Sequence, residues 1–149
     1  MLKGISPLIS PELLKVLSEL GHGDTIVFAD ANFPSASNAV RGNTAYLRLD
    51  GQAMPPLLDG VLELLPLDEY VESPVLFMAK EPQDKDLKLP ILDKYIRIIE
   101  KKDKRGKKAV GYLSRSDFYE AARHAACIVQ TGETAIYANI ILQKGVVTE

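Results

Sequence analysis

The residues best suited to proton chemistry are His22, set between two glycines in Gly21-His22-Gly23-Asp24, and Asp30, at the far side of the apolar run Thr25–Ala29. An unperturbed imidazole titrates near pH 6.5, so a loop histidine can take and give protons at neutral pH. The other histidine, His124, ends an amphipathic segment and reads as a surface residue. Acid–base work by this chain would therefore start at His22. A strand between His22 and Asp30 does not by itself place them side by side.

Further polar groups cluster in two later segments. Arg115, Phe118, Tyr119 and Glu120 open a helical stretch, and Tyr137-Ala138-Asn139 precedes the apolar run Ile140-Ile141-Leu142. Singly, each reads as an ordinary helix start or strand entry. Together with His22 and Asp30 they supply a proton shuttle, a carboxylate, phenols, a cation and an amide. Each hydroxyl of a neutral polyhydroxylated ligand needs such donors and acceptors.

Other chemistries have less support. His22, Asp24, Asp30 and His124 show no metal-ligand spacing, such as two histidines four apart on a helix, so no metal site is expected. Gly21-x-Gly23 follows a helix and precedes a strand, the reverse of a dinucleotide fingerprint. Thr131-Gly132-Glu133 is too short for a phosphate loop. The run Lys101–Lys108 holds six of the eighteen basic residues. It lacks the interleaved aromatics that stack on bases, and it reads as a solvated turn at a helix C-terminus, where the dipole favours cations. With a formal charge of −2, no nucleic-acid partner is expected.

The elements that must position these groups follow from patterning. Ser10-Pro11-Glu12 is a helix start, with a cap, a proline suited to the first turn and an acid at the positive dipole end. Leu13, Leu14, Leu17 and Leu20 continue at helical spacing up to Gly21. The segment 30–42, rich in small and turn-forming residues, reads as a loop. Ala45, Leu47 and Leu49 alternate with polar residues as a half-buried strand. Pro55-Pro56 begins a helix, Val75–Ala79 is a buried strand, and Leu92, Tyr95, Ile96 and Ile99 form a helical stripe. A strand near 109–113, a helix over 116–125 and strands at 126–130 and 139–143 complete the pass.

Helices alternating with short apolar strands predict a single α/β domain over residues 1–149. Its form is a three-layer α/β/α sandwich around a mixed, largely parallel sheet. At 149 residues, 46% of them hydrophobic, the chain can bury a core without disulfide or metal. Met1–Pro7 lacks the sustained apolar run of a signal peptide. No stretch approaches the roughly 18 apolar residues of a membrane helix. The lone cysteine, Cys127, lies in an apolar run as a structural thiol. A cytoplasmic protein with no membrane partner is the expectation.

The order and spacing of several short motifs carry a family resemblance. They are Leu2-Lys3-Gly4-Ile5, Leu8-Ile9-Ser10-Pro11-Glu12-Leu13-Leu14, Gly21-His22-Gly23-Asp24, Asp30-Ala31-Asn32-Phe33-Pro34 and Leu65-Pro66-Leu67-Asp68. They continue with Phe118-Tyr119-Glu120-Ala121, Thr131-Gly132-Glu133 and Tyr137-Ala138-Asn139. The chain resembles the L-fucose mutarotase and D-ribose pyranase family over nearly its whole length, and its fucose branch more closely. The Tyr137–Leu142 stretch is similar to the ribose branch.

The resemblance implies cofactor-independent interconversion of the α and β anomers of L-fucose. It assigns His22, Asp30 and Tyr119 to catalysis, with Asp30 orienting His22 or sharing its proton. Arg115, Tyr137 and Asn139 are assigned to holding the sugar. It also implies a homo-oligomeric ring, a decamer, with sites near subunit interfaces. The alternatives are a D-ribose pyranase within the same chemistry, or a non-catalytic sugar-binding protein of an uptake system.

Overall fold

A computed structural model describes residues 1–149. Helix α1 (Pro11–Glu19) begins as its sequence dictates: the Ser10 hydroxyl accepts the Leu13 N–H at 3.1 Å, and Leu13 and Leu17 are buried. Strand β1 (Thr25–Ala29) follows, then helix α2 (Ser35–Gly42), strand β2 (Ala45–Leu49) and helix α3 (Met54–Leu62). Strand β3 (Val75–Met78), helix α4 (Pro90–Lys102), strand β4 (Val110–Leu113), helix α5 (Arg115–Arg123), strand β5 (Cys127–Thr131) and strand β6 (Ile140–Gln143) complete the chain.

The six strands form one sheet in the order β2-β5-β1-β6-β3-β4. Strand β5 runs parallel to both β2 and β1, and β3 runs parallel to β4. Strand β6 lies antiparallel between β1 and β3. This is the expected mixed, largely parallel sheet. Alternate residues of β1 feed two cores: Ile26 and Phe28 join Leu13, Leu17, Leu58 and Tyr95, while Val27 and Ala29 join Ala39, Phe118 and Ala122. Helices α1, α3 and α4 thus cover one face and α2 and α5 the other, which makes three layers. Burial on both faces explains why β1 and β5 read as unbroken apolar runs rather than alternating ones. No helix is long and apolar enough to cross a membrane.

One expectation fails. Residues 35–42 form α2 instead of continuing a loop. This helix has no side-chain cap at Pro34 and buries only Ser35, Asn38 and Ala39, so it shows no apolar stripe. Polar packing holds it instead. Asn38 donates its amide to the Pro34 carbonyl at 3.0 Å and accepts from Arg123 Nε at 2.8 Å. Asn43, in the left-handed region at φ 50°, closes it.

Thr131-Gly132-Glu133 splices the sheet to its connections. The Thr131 hydroxyl donates to the Ala29 carbonyl at 2.8 Å, and the Glu133 carboxylate accepts the Met54 N–H at the start of α3 and the Ala135 N–H. Between them, a Cβ on Gly132 would sit 1.9 Å from the Asp50 carbonyl oxygen. Replacing Gly132 with alanine therefore forces backbone to move. We expect Gly132→Ala to cost about 1–3 kcal/mol, read as a fall of several degrees in thermal midpoint. A variant that melts with the parent contradicts this packing.

Candidate active site

The parallel strands end on one side of the molecule, and antiparallel β6 begins there, with Ile140 paired to both Phe28 and Phe77. Ligands of open α/β sheets bind in the crevice outside the carboxyl ends of the strands. Here that crevice is a pocket of about 300 Å³. It is lined from β1 by Asp30 and its following loop, from β3 by Met78 and the connector after it, from α5 by Arg115 and Tyr119, and from the entry to β6 by Tyr137 and Asn139. Five of the six residues singled out in the sequence thus converge, although more than a hundred positions separate Asp30 from Asn139.

Asp30 is the buried carboxylate of this pocket. Only 3% exposed, its carboxylate accepts the Asn32 N–H at 3.0 Å through Oδ1 and the Ala138 N–H at 3.2 Å through Oδ2. Its own N–H donates to Asn139 Oδ1 at 2.8 Å. Burial pushes the Asp30 carboxyl above its usual range, against the pull of backbone N–H groups and of Asn139. A carboxyl moved toward neutrality is better matched to proton transfer near pH 7 than an ordinary one.

The surrounding groups are ordered by their neighbours. Tyr137 stands at φ 58°, a costly conformation for a bulky residue. Its hydroxyl donates to Asp84 Oδ2 at 2.6 Å and accepts the Glu81 N–H at 3.0 Å. The Asp84 carboxylate raises the phenol's pKa. Arg115, at the amino end of α5, pairs through Nε with Glu81 Oε1 at 3.1 Å. Tyr119, one helical turn on, meets the Phe33 ring edge to face at 5.2 Å. Beneath them, the buried Tyr95 hydroxyl of α4 donates to the Ala138 carbonyl at 2.9 Å, and burial raises its pKa well above the usual value.

Glu81 and Asp84 were not legible as site residues. They lie in the polar connector after β3, where a 3-10 turn over Pro82–Asp84 and the contacts to Tyr137 and Arg115 give them fixed places.

The structure does not bring His22 to Asp30. His22 precedes β1 and Asp30 follows it, and five strand residues at about 3.3 Å each span roughly 17 Å. His22 instead pairs through Nε2 with Asp68 Oδ1 at 3.0 Å. The expected partnership with Asp30 thus does not exist within one chain. Asp24 turns away to accept the Gly21 N–H at 2.7 Å, and His124 pairs with Glu120 on the surface of α5 at 3.0 Å. In the basic run, Lys102 pairs with Glu63 and Arg105 with Asp103.

The pattern of the RbsD / FucU transport protein family spans residues 3–147 of the sequence. Human fucose mutarotase is 47% identical over 147 residues, covering 97% of this chain and 94% of the human protein. The crystal structure of the fucose mutarotase from Streptococcus pneumoniae in complex with L-fucose superposes with a TM-score of 0.91 at 50% identity, over 99% of this chain and 100% of that one. Bacillus subtilis RbsD complexed with D-ribose superposes at 0.74 with 25% identity, over 99% of this chain and 100% of that one. The chain belongs to the RbsD / FucU family.

Because Tyr95 alone supports the Ala138 carbonyl from the core, Tyr95→Phe orphans that acceptor directly under the pocket. We expect a loss of about 1–3 kcal/mol in chemical denaturation. A parent-like value contradicts this support.

Proposed function

We propose that this chain is an L-fucose mutarotase. The observation that carries the reading is similarity along the whole chain, at 47% and 50% identity, to proteins named fucose mutarotase. The ribose-bound relative, at 25% identity, is far more distant. The pocket supports the same chemistry, with one buried carboxyl of raised pKa among a guanidinium, two phenols and an amide.

Anomer exchange needs two coupled proton transfers. A base takes the proton of the anomeric hydroxyl while an acid protonates the ring oxygen, and the bond from C1 to the ring oxygen breaks. The freed aldehyde turns its other face and the ring closes with the roles reversed, so no net proton or electron is lost. In this reading Asp30 and His22 are the exchanging groups. Tyr119 is a second donor or hydroxyl clamp, and Arg115, Tyr137 and Asn139 hold the sugar.

The separation of His22 from the pocket within one chain fits a ring assembly in which a neighbouring copy supplies the imidazole. A homo-oligomer, in decameric form, is part of the proposal. So is a reducing cytoplasm, in keeping with the single buried thiol at Cys127.

Saturation-transfer NMR on L-fucose at equilibrium tests the reading. The expected result is exchange much faster than in buffer, faster than with D-ribose, and slowed about 10²–10⁴-fold in Asp30→Asn or His22→Ala. Exchange no faster than in buffer, with sugar still bound by calorimetry, would point to a binding protein of an uptake system. A larger acceleration with D-ribose would make the chain a pyranase.

A further inference from the structure

Tyr137 is held from two sides, and the partners of its hydroxyl limit what it can give a ligand. On the backbone side, the Ala138 N–H donates to Asp30 Oδ2 at 3.2 Å and Asn139 Oδ1 accepts the Asp30 N–H at 2.8 Å. On the ring side, the hydroxyl donates to Asp84 Oδ2 at 2.6 Å and accepts the Glu81 N–H at 3.0 Å. A carboxylate can only accept, so the phenol's single proton lies toward Asp84. The Glu81 N–H takes up one acceptor position on the same oxygen. What remains for the pocket is an acceptor and no donor.

The connector after β3 has other bonds to hold its shape. The Asp84 N–H donates to the Glu81 carbonyl at 2.9 Å, and Lys80 Nζ donates to the Lys85 and Leu87 carbonyls at 2.9 Å each. Glu81 is tied to Arg115 besides. The Asp84 carboxylate, half-buried at the pocket wall, is spent on the Tyr137 hydroxyl instead. The pocket's other phenol, Tyr119, packs its ring on Phe33 and has no such acceptor on its hydroxyl within the chain.

We propose that Asp84 is a positioning residue that fixes the Tyr137 hydroxyl as an acceptor, which takes its hydrogen bond from a hydroxyl of the sugar. The proposal rests on the reading of this pocket as the L-fucose site. It divides the two phenols by role. The sugar's ring oxygen carries no proton to give, so it cannot be the partner of Tyr137. Protonation of that oxygen on ring opening therefore falls to groups other than Tyr137. The hydrogen bond to Asp84 also holds the Tyr137 pKa above the usual range, which keeps the phenol neutral while it serves.

Asp84→Ala removes the acceptor and leaves the backbone bonds of the turn in place. The KM for L-fucose exchange should rise about 3–10-fold, as for one lost hydrogen bond, with kcat little changed. Tyr137→Phe should do the same, and Asp84→Ala should add nothing in that background. A parent-like KM in Asp84→Ala beside a raised one in Tyr137→Phe overturns the proposal alone, as do losses that multiply in the double variant. A Tyr137→Phe protein with the parent's KM, or a parent without L-fucose exchange, overturns the reading of the site and this inference with it. The phenol gives a second readout that mere support of the connector would not move. Followed through a carbon-13 label on the tyrosine ring, the Tyr137 titration should fall in Asp84→Asn toward the usual value near 10. An unchanged midpoint overturns the proposal. Should the Asp84 variants fail to fold, the parent phenol decides: a midpoint above about 10 supports the proposal, and one at or below it overturns it.

Discussion

Burial of the Asp30 carboxyl at the end of β1 is the constraint around which the pocket side of this molecule is organised. An ionised carboxylate in a low-dielectric site is costly unless it is hydrogen-bonded. The fold meets that cost with backbone N–H groups from two distant segments, those of Asn32 and Ala138, and with the side chain of Asn139. Tyr137–Asn139 must therefore turn tightly just before β6, which places Tyr137 at positive φ. Gln130, on the neighbouring strand β5, donates to the Asp30 carbonyl at 2.6 Å. Because the folded carboxyl lies above its ordinary value, its contribution to stability is complete below the unfolded pKa, near 3.9. That contribution is lost as pH rises through the folded value. At neutral pH the buried carboxyl therefore works against the fold.

Antiparallel β6 makes the site possible. Inserted between β1 and β3, it brings its own amino end to the edge where the parallel strands finish. Asn139 and Tyr137 thereby reach Asp30, and the connector after β3 closes the pocket by way of Glu81 and Asp84. The same strand ends at the opposite edge, where Gln143 braces Asp68 behind His22. One strand thus buttresses both groups proposed to exchange protons, although they stand at opposite ends of the sheet.

Much of this was legible in the sequence where physics is local. Ser10 caps a helix, apolar runs mark buried strands, and alternation marks β2 as a half-buried strand. Helix α2 escaped notice because its buried face is Ser35, Asn38 and Ala39, with no stripe and no cap. The membership of the pocket could be guessed from residue types, but its geometry could not. Asp30 meets Ala138 across 108 positions, and Glu81 and Asp84 sit in a connector whose polarity looks like ordinary solvated loop. Within one chain, the contact of His22 is non-local in the same way. Asp30 is near in sequence but lies across a strand's length, whereas Asp68, 46 residues on, makes the contact.

The central claim is that Asp30 of one copy and His22 of another form a single site. Mixing tests it most directly, by co-expressing His22→Ala with Asp30→Asn, each inactive alone. A random ring in which neighbours contribute the two groups should recover about a quarter of the parent's L-fucose exchange, since that share of interfaces joins an intact Asp30 to an intact His22. Mixed oligomers shown to contain both chains, yet no faster than either variant by itself, would contradict the account.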